Sequence, residues 1–330
     1  MNPAPEQPEL DRLSADMASL LGRIGLDPAE RPERRHRIDL RFAAVAARYP
    51  GRVAARDAED EATYLDLELF ADDLARRLSG RTGAGRAVAV RAGRTCAAPG
   101  AVLGVLRSGA AVLPLDPGHH PGLQEFLMRD AGASLVVSDS GLLRDEIPVA
   151  KVGRFVIGAR PAAVPAREIP VESAFMALPG AGTDPGRAAR VRPLSHLDVL
   201  SWVDATVPLL EVGPDDVWTL FHALSLDLGM REMWGPLLSG ARAEVVDRAT
   251  AADPFAFAAL LADRRVTVLT QLPSAFARLV PAAHGTRLDS LRHVLLSHEA
   301  VDPALVAAWR SAAVAPAAVV REVTGSPRVW

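Results

Sequence analysis

Short apolar runs alternate along this chain with segments whose apolar residues recur at helical spacing, and that alternation constrains the fold more than any other feature. The strand-like runs of the first half are AVAV at 87–90, AVLPL at 111–115, LVV at 135–137 and FVI at 155–157. Between them, 97–107 and 122–130 carry helical patterns, and Leu67, Phe70, Leu74 and Leu78 mark one face of an earlier helix. Runs without internal polar alternation suit strands buried on both faces, and strands alternating with helices imply a parallel sheet with crossover helices. The second half repeats the style with AFMAL (174–178), VWTLF (217–221), AEVV (243–246), VTVLT (266–270), HVLL (293–296) and AAVV (317–320). Helices are expected to start near Ser195, Asp253, Pro273 and Asp302, and Ser195 with Asp198 resembles a capping box. The expectation is an α/β fold of two lobes, 37–158 and 173–330. The connector 159–172 holds Pro161, Pro165 and Pro170. Residues 1–36 read as a leader helix, with Leu13, Met17, Leu20, Leu21 and Ile24 on one face, followed by a polar linker.

Composition narrows the function classes. With 49% apolar residues in 330, the chain has material for a sizeable core. A net charge of −3 argues against a strongly basic nucleic-acid binder. The one cysteine, Cys96, excludes a disulfide framework within the chain and a Cys-rich zinc site. Arg, Asp and Pro interrupt every apolar stretch before it reaches the roughly 18 residues of a membrane span. The N-terminus is acidic and Pro-rich and lacks the apolar core of a signal peptide, so the expectation is a cytoplasmic protein without membrane or nucleic-acid partners. Lys151 is the one lysine, so any mechanism that needs a lysine has one candidate.

Few residues carry chemistry on their own pattern. The loop 178–187, LPGAGTDPGR, follows a predicted strand and is rich in Gly and Pro, yet it fits neither the Walker pattern nor GxGxxG. Its residues alone favour an ordinary turn. Asp227 lies in the apolar stretch FHALSLDLGMREMWG, where a carboxylate needs a partner, and Arg231 is one helical turn on. A structural ion pair and a ligand carboxylate at a pocket wall fit this spacing equally. His119–His120 and His298–Glu299 are neighbours in sequence that do not converge on one ion, and they read as surface or loop residues. No GxSxG or SxxK occurs, and no histidine is placed to activate Cys96.

Longer segments carry a resemblance. RFAAVAARYPGRVAARDAEDEATYLDLELFADDLARRL, LRSGAAVLPLDP, FLMRDAGASLVVSD, FHALSLDLGMREMWGPLLSGARAEVV, VTVLTQLPSAFARLV and LRHVLLSHEAVDPALVAAW are similar to successive core regions of nonribosomal peptide synthetase adenylation domains. These belong to the AMP-forming acyl- and amino-acid-activating superfamily. The resemblance covers about nine-tenths of the chain, from residue 37 on. It implies the two-lobed parallel-sheet core of an adenylate-forming enzyme, here without the mobile C-terminal subdomain and ending at the fifth core motif. The family binds ATP and an amino acid, forms an aminoacyl-adenylate and loads a carrier-protein thiol.

Residue by residue, the resemblance carries over unevenly. Asp227 matches the aspartate that holds the substrate's α-ammonium, and Leu228, Arg231, Thr270, Leu295 and Ser297 fall on positions lining the side-chain pocket. Arg231 replaces what is usually an apolar or aromatic residue, so it either recognises an acidic substrate or neutralises Asp227. The family's phosphate loop is rich in Ser, Thr and Gly and ends in Pro-Lys-Gly. Here the corresponding nucleotide-binding positions read Gly180, Gly182, Thr183, Pro185 and Gly186, with Leu178, Pro179 and Ala181 also where hydroxyls are expected and Gly186 where the lysine is expected. At 322–328, EVTGSPR stands where the fifth motif is expected, with Gly325 kept and Arg328 at the acidic position. The expectation is a catalytically inactive relative acting as a scaffold or interaction module in nonribosomal peptide biosynthesis. Its implied partners are peptide-synthetase modules, a carrier protein or an MbtH-like protein. The alternative is an amino-acid-activating enzyme completed by a partner chain, and only that alternative brings ATP and Mg²⁺ as cofactors.

Overall fold

The computed structural model describes residues 37–144, 146–159, 172–177 and 192–323. In chain order the first elements are α1 (Ile38–Arg48), β1 (Val53–Arg56), β2 (Glu61–Thr63), α2 (Tyr64–Leu78), β3 (Ala87–Arg91), α3 (Ala98–Arg107), β4 (Ala111–Leu115), α4 (Pro121–Ala131), β5 (Leu135–Ser138), β6 (Ile147–Val152) and β7 (Phe155–Ala159). They continue with β8 (Ser173–Ala177), β9 (Arg192–Ser195), α5 (His196–Leu209), β10 (Val217–Leu220), α6 (Asp227–Leu237), β11 (Arg242–Val245), α7 (Arg248–Ala252) and α8 (Pro254–Asp263). The last are β12 (Val268–Gln271), α9 (Pro273–Ala282), β13 (His293–Ser297), α10 (Pro303–Ala312) and β14 (Val319–Val323). Ser195 and Asp198 form the expected capping box at the start of α5.

The strands form two seven-stranded sheets, ordered β6-β7-β5-β3-β4-β8-β9 and β14-β13-β12-β10-β11-β1-β2. Their centres are parallel, and three of the four margins are antiparallel, through β5–β7 and β6–β7, β8–β9 and β1–β2, whereas the β14 edge is parallel to β13. The lobes do not divide the chain at 159–172. β1, near the N-terminus, pairs in parallel with β11, and β8, beyond the connector, pairs with β4. The boundary drawn from the proline cluster is therefore corrected: each sheet takes a margin from the other half of the sequence. Such pairings reflect the distant partner strand, which local composition does not encode.

Period-two alternation builds the layers. In β3, Val88 and Val90 enter a central core, whereas Ala87 and Ala89 enter a cluster under α4. In β12 and β13, Val268 and Leu295 enter the same central core, whereas Leu269, Val294 and Leu296 face a cluster with α8, α9 and α10. The central core also takes side chains from α1, α2, α3, α5 and α6. The result is a stack of helix, sheet, helices, sheet and helices. The central parallel strands are covered on both faces, which is why their runs read as continuously apolar, whereas β14 at the edge stays partly exposed.

One contact ties the start of the described chain to α5. The Ile38 N–H donates to His196 Nδ1 at 3.1 Å, so this imidazole serves as an acceptor. Burial, opposed by Asp39 and helped by Arg37, pushes His196 from 6.5 down to about 4. Between those values the unfolded chain binds the proton and the fold does not. Stability is therefore full above pH 6.5 and falls as pH drops from 6.5 towards 4, by roughly 3 kcal/mol at the full shift. His196→Asn keeps an acceptor for Ile38 but cannot take the proton. In urea melts across this window, the variant is expected to lose less stability on acidification than the parent chain; equal slopes would contradict the assignment.

Candidate functional site

Helix α6 is buried on every side: all eleven residues from Asp227 to Leu237 are buried, although three of them ionise. Its position is fixed by Glu232. One carboxylate oxygen, Oε2, accepts the backbone N–H groups of Phe221 at 2.9 Å and His222 at 2.7 Å, and Oε1 lies 2.8 Å from His222 Nδ1. Glu232 thus satisfies the chain as it leaves β10 and loops back into α6. The approach is close. A Cβ on Gly229 would fall 2.2 Å from the Ala223 carbonyl oxygen, and one on Gly235 would fall 2.5 Å from the Trp218 ring. Glycine permits both contacts.

Asp227 opens this helix, where the helix dipole favours negative charge. Its Oδ2 lies 2.8 Å from His298 Nε2 and 3.8 Å from an Arg231 Nη. His298 Nδ1 lies 2.8 Å from Ser297 Oγ. The Arg231 guanidinium sits over the Trp202 ring of α5, 5.7 Å from its centroid. Burial pushes the Asp227 carboxyl up, but the His298 hydrogen bond and charge, then Arg231 and the Leu228 N–H, outweigh it and hold the group below the usual carboxylate range. Burial pushes Arg231 down to about 10 against the pull of Asp227. Asp227 Oδ1 is buried without a hydrogen-bond partner among the described residues. The adjoining cavity, lined by Leu194, Val199, Trp202, Met230 and Arg231 among others, has a volume of about 30 Å³.

The six pocket residues named from the sequence fall at one end of the second sheet. Asp227, Leu228 and Arg231 lie in the first turns of α6. Thr270 and Leu295 are register partners on β12 and β13, and Ser297 ends β13. Alternation puts Thr270, Leu295 and Ser297 on the inner face with Val268, at the carboxyl ends of parallel strands, where open α/β sheets place their ligands. All six are buried. His298 is the residue that sequence reasoning misplaced. It follows β13 in a loop, yet its side chain is buried and makes the shortest contact to Asp227. Its backbone has φ +69°, in the left-handed region that glycine favours. That turn, invisible to periodicity, swings the imidazole onto the inner face. Its neighbour Glu299 instead accepts from the Ser274 N–H and hydroxyl at the start of α9.

The nucleotide-loop residues Gly180, Gly182, Thr183, Pro185 and Gly186, the fifth-motif positions Gly325 and Arg328, and the leader 1–36 lie outside the described residues. A second cavity, of about 270 Å³, opens between the sheets and is lined by Arg94, Asp116, His222, Asp247 and Arg248 among others. Cys96 is buried beside Asp57, which with burial pushes its thiol up to about 12, so it stays protonated and unreactive. Among the described residues no group of three His, Cys, Asp or Glu side chains is placed to hold a metal ion, and no helix is long and apolar enough to cross a membrane.

The sequence model of the AMP-binding enzyme family matches residues 42–174 and 193–322. The chain belongs to this family. It is 32% identical over 277 residues to a plipastatin synthase polypeptide of Bacillus subtilis, covering 81% of this chain and 11% of that protein. It is 30% identical over 276 residues to syringomycin synthase SyrB1 of Pseudomonas syringae, covering 81% of this chain and 44% of that protein. The chain therefore spans less than half the length of these relatives. The N-terminal subdomain of Klebsiella oxytoca NpsA, solved in complex with anthranilyl-AMSN, superposes with a TM-score of 0.70 at 20% identity, covering 87% of this chain and 73% of that one. The two-sheet fold is that of adenylation-domain N-terminal subdomains, in a chain of the AMP-binding enzyme family.

Within this AMP-binding chain, the Glu232 cluster gives a direct stability test. Glu232→Leu would strand the two N–H groups and the imidazole and is expected to cost about 3–5 kcal/mol in urea unfolding. Glu232→Gln keeps one acceptor and should cost clearly less. Equal, small losses in both variants would show that the carboxylate does not hold the α6 entry.

Proposed function

We propose that this chain is a non-catalytic adenylation-type module, a scaffold or interaction partner in nonribosomal peptide biosynthesis. The observation that carries this reading is the cavity beside Asp227. Among the described residues its volume is about 30 Å³, well below the ~300 Å³ or more of ordinary ligand pockets. The sequence adds a second argument: across 178–187 the hydroxyl and lysine donors that the family aims at ATP phosphates are replaced by Leu178, Pro179, Ala181, Gly182 and Gly186. Preorganised donors of this kind supply much of the rate in phosphoryl and adenylyl chemistry, so their loss costs many powers of ten. Partners on this reading are peptide-synthetase modules, through a carrier protein or an MbtH-like protein, in secondary metabolism.

The second reading is an amino-acid-activating enzyme completed by a partner chain that brings ATP and Mg²⁺ chemistry into play. The buried Asp227 with its unpartnered Oδ1 favours it, because such an atom suits an N–H⁺ donor from a ligand. Calorimetry with MgATP and amino-acid-dependent pyrophosphate exchange separate the two. The isolated chain is expected to bind MgATP more weakly than about 1 mM and to give no exchange with any standard amino acid. Micromolar binding, or exchange alone or with a neighbouring synthetase chain, would establish the second reading.

A further inference from the structure

Three hydrogen-bonding groups at the end of β13 form a chain: Ser297 Oγ to His298 Nδ1 at 2.8 Å, and His298 Nε2 to Asp227 Oδ2 at 2.8 Å. The donor directions follow from chemistry. An ionised carboxylate only accepts, so Nε2 carries the proton towards Asp227. The Asp227 carboxyl is held below the usual range, so it is ionised at neutral pH. Ser297 Oγ then holds Nδ1, as the donor to a neutral imidazole or as the acceptor from a protonated one. A Ser-His-Asp series also invites a hydrolytic reading. Ser297 is 2% exposed and ends a strand covered on both faces, which leaves an acyl substrate no approach to its oxygen. The chain serves to hold the imidazole in one place, with Nε2 towards Asp227.

We infer that His298 is the specificity-determining residue of the Asp227 pocket: its imidazole supplies, from within the protein, the N–H donor that an α-ammonium group would otherwise bring. This rests on reading Asp227 as the carboxylate that faces an amino-acid substrate, as proposed above. Ser297 is the positioning residue. The backbone marks His298 as built in rather than incidental, because it keeps a φ of +69° that a glycine would adopt without strain. Arg231 does not replace it. The guanidinium is drawn onto Trp202 and stays 3.8 Å from the same oxygen that His298 reaches at 2.8 Å. An α-ammonium that is to engage both oxygens of Asp227 must displace the imidazole from Oδ2, and a carboxylic acid without the ammonium gains nothing from Asp227.

His298→Gly tests this directly, because glycine suits the backbone at that position and vacates the volume of the ring. L-alanine and propionate, which differ by the ammonium, are titrated calorimetrically into the full chain without nucleotide. The parent chain is expected to bind neither. The His298→Gly variant is expected to bind L-alanine at least tenfold more tightly than the parent does, and to ignore propionate. Equal binding of L-alanine by parent and variant, or no binding by a folded variant, overturns the inference. A second measurement needs no folded variant at position 298. Long-range proton–nitrogen spectra of the parent are expected to show His298 protonated at Nε2, with the Nδ1 signal moving in Ser297→Ala. An Nε2 without a proton, or an Nδ1 signal indifferent to Ser297→Ala, overturns it too. These outcomes are independent of pyrophosphate exchange: an active parent chain that still excludes L-alanine until His298 is removed would refute the non-catalytic reading and leave the role of His298 standing.

Discussion

Glu232 is the group on which the site depends. It has no exposed surface, and its two oxygens accept everything the chain offers as it passes from β10 into α6: two backbone N–H groups and the His222 ring. Buried donors left unpaired cost free energy, so this turn is tied to one geometry. With the loop closed in that way, Asp227 stands at the head of α6 and faces the carboxyl ends of β12 and β13. Trp218 and Trp234 pack the inner side of the same unit and are fully buried. The position of a candidate ligand carboxylate is therefore set by a second, fully buried carboxylate five residues on.

Putting three ionisable groups on a wholly buried helix requires that each find compensation, and the compensation is unequal. Asp227 and Arg231 look like a helical ion pair, one turn apart. Their distances say otherwise: the nearest Arg231 nitrogen is 3.8 Å from Asp227 Oδ2, beyond hydrogen-bond reach. The difference lies in His298, which gives Asp227 a hydrogen bond 1 Å shorter than the Arg231 contact. Arg231 meets burial with the more distant carboxylate and the face of Trp202. Buried pairs are held by such extra hydrogen bonds more than by bare attraction, because desolvation cancels much of the Coulomb gain.

Most of the architecture was legible because it is written in local periodicity. The run 111–115 is β4 residue for residue, and the helices begin one residue after the capping Ser195, Asp253 and Asp302 and at Pro273, whose proline opens the first turn. The lobe boundary was not legible. The short β1 and β2 carry little apolar signal, and their place beside β11 is decided by the partner strand. A proline cluster marks where chain geometry is interrupted, which is a different thing from where one sheet ends. Asp227 and Arg231 were legible as a pair by helical spacing, but their ranking was not, because the stronger partner of Asp227 is 71 residues away.

His298 shows why neighbouring residues were a poor guide to what converges. Along a strand, successive side chains point to opposite faces, so Ser297 and His298 would be separated by the sheet if β13 continued. The strand ends at Ser297, and a left-handed residue follows. One positive φ reverses the alternation and returns the next side chain to the face just used. Histidine there accepts backbone strain that glycine would avoid, and the hydrogen bonds to Ser297 and Asp227 are what oppose that cost. The local strain and the buried carboxylate are thus one device: the turn delivers the imidazole, and the carboxylate gives it a reason to stay.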